Sequence, residues 1–440
     1  MASQASDLEE LHISHVAYMG EGAANVVFQA TNYTPNGTLH KFDNAEAWNH
    51  YLIRVPKQPK DPKKGFYSTG QHLRYFAEEI LPLFRHDRTL FVDQLAIRLP
   101  RATIAEMRAT LAAMDAMPPQ LRRRPAKFHG DTVDPKDNCV MLVEDMTSKL
   151  NVEFKQTTIE FKPKWLTQSP SAPQNANTCR CCALAAKKYA DSKAETPNSQ
   201  SIKATAGAPQ KSPNEARVAK KPAKDDIQSA AQSGLRHTKS DDDKRKGAEI
   251  SVKDKTKDVE KSPKSKNAEP LAKNPASIAK EEVKIKNSHL SPDNYACPLW
   301  LDPEQPTSAG KEKIRQMAIE QIFKGDKHHA ALYNILKEKP TLVRLRDVQM
   351  LLDKKGPLEA SRTDDKFCMA MTLRDCSLFV RYREDSQGRV DAKTLEAKLA
   401  DLDKKNAAWK FDEWVKKERD LIEGGWYTGR GNMKNCRLQP

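Results

Sequence analysis

The chain has 440 residues and a formal charge of +15, from 74 Lys and Arg against 59 Asp and Glu. That length exceeds one ordinary domain of about 100–200 residues, and the charge points to a polyanionic partner: nucleic acid, a membrane surface or a small phosphorylated ligand. No apolar run approaches the ~20 residues that span a bilayer, the acidic start lacks a signal-peptide core, and eight scattered cysteines argue for a reducing compartment, so no membrane insertion and a nuclear or cytoplasmic location are expected.

The first folded stretch reads as strand, turn, strand. Val16–Tyr18 leads into Met19, Gly20, Glu21, Gly22, Ala23, Ala24 and Asn25, and Val26–Phe28 leads out. Two glycines one residue apart allow a tight turn whose exposed N–H groups form a concave anion site. An ordinary β-turn explains the same residues, and the stretch lacks both the Walker-A ending and the helix start of a dinucleotide fingerprint. A third strand follows at Tyr51–Lys57. A protein kinase places its ATP-phosphate lysine on such a strand; the inward candidate here is Arg54, with Lys57 second.

Leu73, Phe76, Ile80 and Leu81 predict a helix from Gln71 that Pro82 ends. It carries Glu78 and Glu79, either of which can pair with the strand cation, or which form a solvated face. Phe91–Met117 supplies a strand and an Ala/Leu-rich helix, and Arg122–Arg124 is an exposed basic run or a phosphate contact. Asn138–Asp145 reads as a buried strand ending in Glu144 and Asp145, where a kinase hinge would bond adenine through its backbone.

Ile159–Lys164 is a β-type run closed by Lys162-Pro163-Lys164. Proline favours extended backbone before it, and residues two apart on a strand project to the same side. Lys162 and Lys164 would therefore present two ammonium groups side by side, a geometry suited to phosphate; an exposed strand end explains the same residues. Cys179, Cys181 and Cys182 follow. They are too adjacent for a tetrahedral metal site on their own, so free buried thiols are expected. Residues 191–288 contain no Phe, Trp, Tyr or Cys, and Lys and Arg outnumber Asp and Glu there. Such a segment cannot bury enough surface to offset its ordering entropy, and is expected to be a disordered insertion. Its Lys244-Arg245-Lys246 cluster is a nuclear import signal or a solvated charge run.

Folded composition resumes at Tyr295–Leu301, with helices expected over Ser308–Phe323, Ala330–Lys337 and Val343–Asp353. Lys366–Tyr382 reads as two β-like runs interrupted by Arg374-Asp375-Cys376-Ser377. An aspartate inside an apolar sheet is costly unless paired or functional. Leu399–Lys405 carries Asp401-Leu402-Asp403, and a Trp- and Lys-rich helix follows from Ala407 to Glu423.

The order of these motifs resembles the inositol-pentakisphosphate 2-kinase family, its fungal members in particular. Five signatures carry the resemblance: Gly20–Asn25, Ile159–Lys164, Cys179-Arg180, Cys297-Pro298-Leu299, and Arg374–Ser377 with Asp401–Asp403. It covers most of the chain outside 191–288. It implies an α+β, two-lobed, protein-kinase-like fold that uses ATP and Mg²⁺ to phosphorylate the 2-hydroxyl of inositol pentakisphosphate, giving the hexakisphosphate. The implied layout is an ATP-binding lobe over 1–145, a first part of the C-terminal lobe over 146–190, the insertion over 191–288, and the catalytic remainder over 289–440.

By the same resemblance, Gly20, Gly22, Ala23, Ala24 and Asn25 cover the ATP phosphates, Arg54 replaces the strand lysine, and Glu144 and Asp145 lie at the adenine hinge. Lys162, Lys164, Arg180, Lys188, Lys405, Lys410 and Trp414 bind substrate. Asp375 accepts the hydroxyl proton, and Asp401, assisted by Asp403, holds Mg²⁺. Leu184 departs from the histidine of many relatives, His328-His329 falls near the paired asparagines of plant members, and spacing shows no counterpart of the plant Cys/Cys/Cys/His zinc site. A monomer that does not bind nucleic acid is expected. Two rival classes stand beside this reading: a basic nucleic-acid-binding protein, and a kinase-like scaffold that binds inositol phosphates without catalysis.

Overall fold

The computed structural model describes residues 12–34, 50–58, 67–150, 155–194, 288–304 and 309–439. The insertion expected over 191–288, with Lys244–Lys246, lies outside the described residues except at 191–194 and 288. The architecture is α+β. Strands β1 (His12–Glu21), β2 (Asn25–Thr34), β3 (Tyr51–Pro56), β4 (Gln94–Arg98) and β5 (Cys139–Glu144) form an antiparallel sheet in the order β1-β2-β3-β5-β4. The period of two divides its residues. Val26, Phe28, Ile53, Val55 and Leu142 pack with Ile104, Met107 and Leu111 of helix α2 (Arg101–Ala116). Their neighbours Val27, Leu52, Arg54 and Val143 line a cleft on the opposite face. Register sets Val27 against Arg54, so the strand cation stands beside the root of the glycine turn.

Helix α1 (Thr69–Tyr75) starts with a capping box in which Ser68 and Gln71 bond each other's backbone N–H. It does not stop at Pro82. The chain continues through a π turn, Phe76–Ile80, into a 3₁₀ turn, Leu81–Phe84, and stops at left-handed Arg85. Proline sits in the first turn of that last segment, where its missing N–H costs nothing.

A second antiparallel sheet runs β6-β7-β8-β9, from Lys149–Leu150, Lys155–Phe161, Ser377–Arg383 and Glu396–Ala400. Ile159 stands against Val380 and Leu378 against Leu399. Together with Phe161 these residues pack on Phe323, Leu336 and Leu345. Those come from the region of helices α4 (Glu312–Ile322), α5 (His329–Leu336) and α6 (Pro340–Leu352). The alternate residues Glu160, Ser377 and Phe379 line the cleft. The N–H of Val92 donates to the carbonyl of Leu399 at 3.0 Å, tying the chain before β4 to β9.

The expectation of a β-like run before Arg374 fails: Asp365–Leu373 is helix α7. The Asp364 side chain caps it by accepting from the Phe367 N–H at 3.0 Å, and Phe367, Ala370 and Met371 are buried at helical spacing. Alternating and helical readings compete in a short apolar run, and the cap decides. Helices α3 (Arg180–Ala194), α7 and α8 (Ala407–Glu423) enclose a further core around Trp165, Trp300, Phe367, Trp414 and Tyr427. Among the described residues no helix is long and apolar enough to cross a membrane.

Candidate active site

The cleft between the two sheets holds about 980 Å³. Gly20, Gly22, Ala23, Ala24 and Asn25 form one wall, and the Gly22 N–H closes the turn on the Asn25 carbonyl at 2.9 Å. Glu21 anchors the hairpin from behind. Its fully buried carboxylate meets Arg124 Nε at 2.6 Å and Lys57 Nζ at 2.5 Å. Two readings are corrected here. Lys57 faces away from the cleft, against Glu21, Asp131 and the Phe128 ring. Arg124 is neither exposed nor free for phosphate, because Glu21 and Asp115 hold it. Arg124→Met would leave Glu21 a buried charge with one partner fewer. A loss of about 3–5 kcal/mol of stability is expected, read as a fall in the urea midpoint at unchanged slope.

Arg54 projects into the cleft and pairs with Asp403, with Asp401 Oδ1 at 3.7 Å. Glu78 and Glu79 do not serve it; Glu79 pairs with Lys404 at 3.4 Å. Asn25 Nδ2 donates to Asp403 Oδ2 at 3.1 Å, so one carboxylate of the Asp-Leu-Asp turn ties the glycine hairpin and β3 to the second sheet. Burial would raise the Asp403 carboxyl, but Arg54 and His72 override it and hold it low. Glu144 lines the cleft with its carboxylate occupied by Lys398 at 2.8 Å and Arg381 at 2.6 Å. Asp145 is buried and does not line it: its N–H donates to the His50 carbonyl, and its own carbonyl accepts from Arg381. Met146 and Thr147 present that stretch of chain to the cleft instead.

Asp375 stands where this cleft meets a second cavity of about 460 Å³, and it lines both, as does Lys405. Three ammonium groups converge on it: Lys405 Nζ on Oδ2 at 2.9 Å, Lys164 Nζ on Oδ1 at 3.1 Å, and Lys162 Nζ at 3.5 Å. Burial would raise the Asp375 carboxyl, but Lys405, then Lys164 and Lys162, outweigh it and hold it far below the usual carboxylate range. Lys162 also donates to Asp401 Oδ2 at 2.9 Å and to the Asp375 carbonyl at 2.6 Å. The Lys-Pro-Lys element thus spans the junction, Lys162 lining the cleft and Lys164 the second cavity. Lys164 and Asp401 have φ of 59° and 56°, left-handed backbone that non-glycine residues seldom adopt.

The second cavity is cationic: Lys164, Arg180, Lys188, Arg374, Lys405 and Lys410 line it. Arg180 lies over the Trp165 ring at 4.3 Å and donates to Glu418 at 2.7 Å. Glu418 also accepts from Tyr427 at 2.6 Å and Ser169 at 2.7 Å. Burial, with Lys417 and Lys164 nearby, pushes the Lys188 ammonium down, and among the described residues no carboxylate pairs with it. Lys410 sits at the rim, paired with Glu413 at 3.0 Å, and Trp414 is a buried wall packed edge-on to Phe367. Leu184 lines the cavity; His328 lies elsewhere, facing Glu384. Sequence reasoning missed Trp165, Lys417 and Glu418. Trp165 directly follows Lys-Pro-Lys, and Lys417 and Glu418 fall on α8, where the helix period was the available signal.

Beside this cavity Cys179, Cys181 and Cys182 are buried thiols, as expected, and tertiary structure brings further thiols to two of them. Cys179 and Cys182 have Cys-x₂-Cys spacing, and folding adds Cys297 and Cys436, so four buried sulfurs lie within 4.8 Å of one another. No disulfide joins any of the eight cysteines. Cys181 instead lines the cationic cavity.

Comparison with known proteins gives the family. The sequence profile of the family described as inositol-pentakisphosphate 2-kinase matches residues 18–420. A protein of Yarrowia lipolytica (strain CLIB 122 / E 150) described as inositol-pentakisphosphate 2-kinase is 26% identical over 314 residues, covering 70% of this chain and 67% of that protein.

Proposed function

The chain belongs to the inositol-pentakisphosphate 2-kinase family, and from that premise we propose that it transfers the γ-phosphoryl group of ATP to the 2-hydroxyl of inositol 1,3,4,5,6-pentakisphosphate, giving the hexakisphosphate. The carrying observation is the shared wall: Asp375 and Lys405 line both a cleft under a glycine hairpin and a pocket rich in Lys and Arg. A donor and an acceptor seated in the two cavities meet at Asp375. We read the five-stranded sheet as the ATP lobe over 1–145, and the second sheet with its helices, over 146–190 and 289–440, as the substrate lobe of a protein-kinase-like fold. The chain would act as a monomer, without nucleic acid.

Phosphoryl transfer asks a protein mostly for positioning and charge neutralisation. The hairpin Gly20–Asn25 and Arg54 receive the ATP phosphates, and the Glu144–Thr147 segment receives the base. Asp401 fits Mg²⁺ by its hard oxygen donors and its place in the cleft, while Asp403 Oδ2 is engaged by both Arg54 and Asn25. Mg²⁺ would supply charge neutralisation at the ATP phosphates. Pentakisphosphate brings roughly ten negative charges at about two per phosphate, which Lys164, Arg180, Lys188, Lys405 and Lys410 answer from separate segments. A carboxylate as acidic as Asp375 is a weak base; its first task is to accept the hydrogen bond of the 2-hydroxyl and orient it. Substrate phosphates compete for Lys164 and Lys405, and as these loosen Asp375 becomes more basic.

The test is purified protein with ATP, Mg²⁺ and inositol pentakisphosphate, reading hexakisphosphate by ion-exchange chromatography and its position by NMR. Binding of both ligands without product would sink the reading. Lys188→Ala is expected to raise KM for pentakisphosphate about tenfold and leave KM for ATP unmoved, as removal of a charge-assisted contact predicts. Steady-state titration of each substrate separates the two.

A further inference from the structure

We propose that Trp165 is a positioning residue of the cationic pocket: its indole ring seats the guanidinium groups of Arg180 and Arg374, and so sets two cations for the phosphates of the acceptor. The Arg374 guanidinium carbon lies 3.5 Å from the ring centroid, and that of Arg180 lies 4.3 Å from it. At such distances a cation stands over the ring face, where the π quadrupole is negative and attracts it. Trp165, Arg180 and Arg374 are 4%, 5% and 3% exposed, and all three line the pocket. A desolvated cation–π contact is stronger than an open one. The pocket has a use for that attraction. Two guanidinium groups on one ring repel each other, and Glu418 holds Arg180 while Asp353 holds Arg374. Burial pushes the Arg374 guanidinium down to about 10 against the pull of Asp353, and Arg180 adds to the push; the group keeps its charge at neutral pH. Arg374 Nε is buried with no hydrogen-bond partner among the described residues. A stacked guanidinium gives its face to the indole and keeps its N–H edge for oxygen acceptors, so the ring can hold a cation without consuming the donors that a phosphate takes.

The backbone fixes the ring in turn. Gln349 of α6 is fully buried, and its Oε1 accepts from the Leu166 N–H at 3.1 Å. Its Nε2 donates to the Lys164 carbonyl at 3.0 Å and to the Leu373 carbonyl at 3.2 Å. One side chain therefore ties the peptides on both sides of Trp165 to the peptide that precedes Arg374. Arg374 leads directly into Asp375, and Lys164, which precedes Trp165, meets Asp375 at 3.1 Å. The stack is thus built into the same two turns that place Asp375 at the junction of the cavities. An aliphatic side chain of similar bulk would fill the space and offer the cations no negative face.

The inference rests on the kinase reading for its ligand, so binding and turnover are measured separately. Calorimetry of the full chain with inositol hexakisphosphate reads the pocket without chemistry. Trp165→Leu is expected to raise Kd for hexakisphosphate and KM for pentakisphosphate about tenfold each at unchanged KM for ATP, and Trp165→Phe to recover most of that loss. Should Trp165→Leu fail to fold, mono-, di- and trifluorinated tryptophan placed at position 165 alone keep the shape of the ring while withdrawing charge from its face. Kd for hexakisphosphate is then expected to rise stepwise with each fluorine. Equal Kd in wild type and Trp165→Leu, or a flat fluorine series, overturns the inference. So does Trp165→Phe no better than Trp165→Leu, which would make the ring a packing element only, and so does an equal rise in KM for ATP. A chain that binds hexakisphosphate with this dependence on Trp165 but forms none refutes the kinase reading alone. A chain that binds no inositol phosphate overturns both.

Discussion

Asp375→Asn is expected to lower kcat by about 10²–10⁴-fold, the range of a positioned acid–base group, with ATP binding intact. The substitution keeps shape and a hydrogen-bond acceptor but removes the charge that three ammonium groups surround. Affinity for pentakisphosphate should hold or increase, since one negative charge leaves a pocket built for anions. A parallel loss of affinity for both substrates would mean damage to the fold, and near-normal kcat would remove Asp375 from the chemistry. The depressed carboxyl also fixes a sign for pH. Its stabilising contribution is fully present above the unfolded value of about 3.9 and is lost as pH falls towards its folded value. The wild-type Tm should therefore drop more steeply in acid than that of Asp375→Asn, in parallel thermal melts.

Lys162→Met is expected to cost about 10²–10³-fold in kcat, comparable with removal of one preorganised donor from a reacting centre. Lys-Pro-Lys read as a strand element predicts two equal phosphate grips, so that losing Lys162 raises KM for pentakisphosphate alone. The contacts separate the two lysines. Lys162 bonds Asp401 and the Asp375 carbonyl inside the cleft, while Lys164 lines the second, cationic cavity. Lys162 thus ties together Asp375 and Asp401, and on the proposed reading its loss is expected to fall on kcat. Lys164→Met, made in parallel, should instead raise KM for pentakisphosphate. Identical KM-only defects in both variants would return Lys162 to the acceptor side.

Much of the site could be read from local pattern. Gly20–Asn25, Arg54, Lys162, Lys164, Asp375 and Asp401 all face the cleft or its junction because strand alternation and turn chemistry act within a few residues. Where local signals were ambiguous, the reading failed for a physical reason. Asp365–Leu373 fits two periods, and the Asp364 cap together with burial of nearly every residue from Phe367 to Leu373 goes with the helix. Lys57 and Arg124 carry the same charge as true cleft cations. Nothing near them in sequence announces Glu21 and Asp115, which neutralise them. Nor does anything near Asp403 in sequence announce that Asn25 and Arg54 arrive from the other sheet and share its Oδ2.

By itself the sequence determined the inventory: a basic α+β chain, a glycine hairpin, paired lysines just after a strand, and acids in two short turns. Spacing along a strand or turn is set by covalent geometry, so these features carry their local shape with them. Tertiary structure alone decided partnership. It made Asp375 the shared wall of two cavities, gave Lys162 and Lys164 different neighbours, and drew Cys297 and Cys436 to Cys179 and Cys182. Such pairings depend on distances across the fold, set by packing of the two sheets and of α3, α7 and α8, and no local period encodes them.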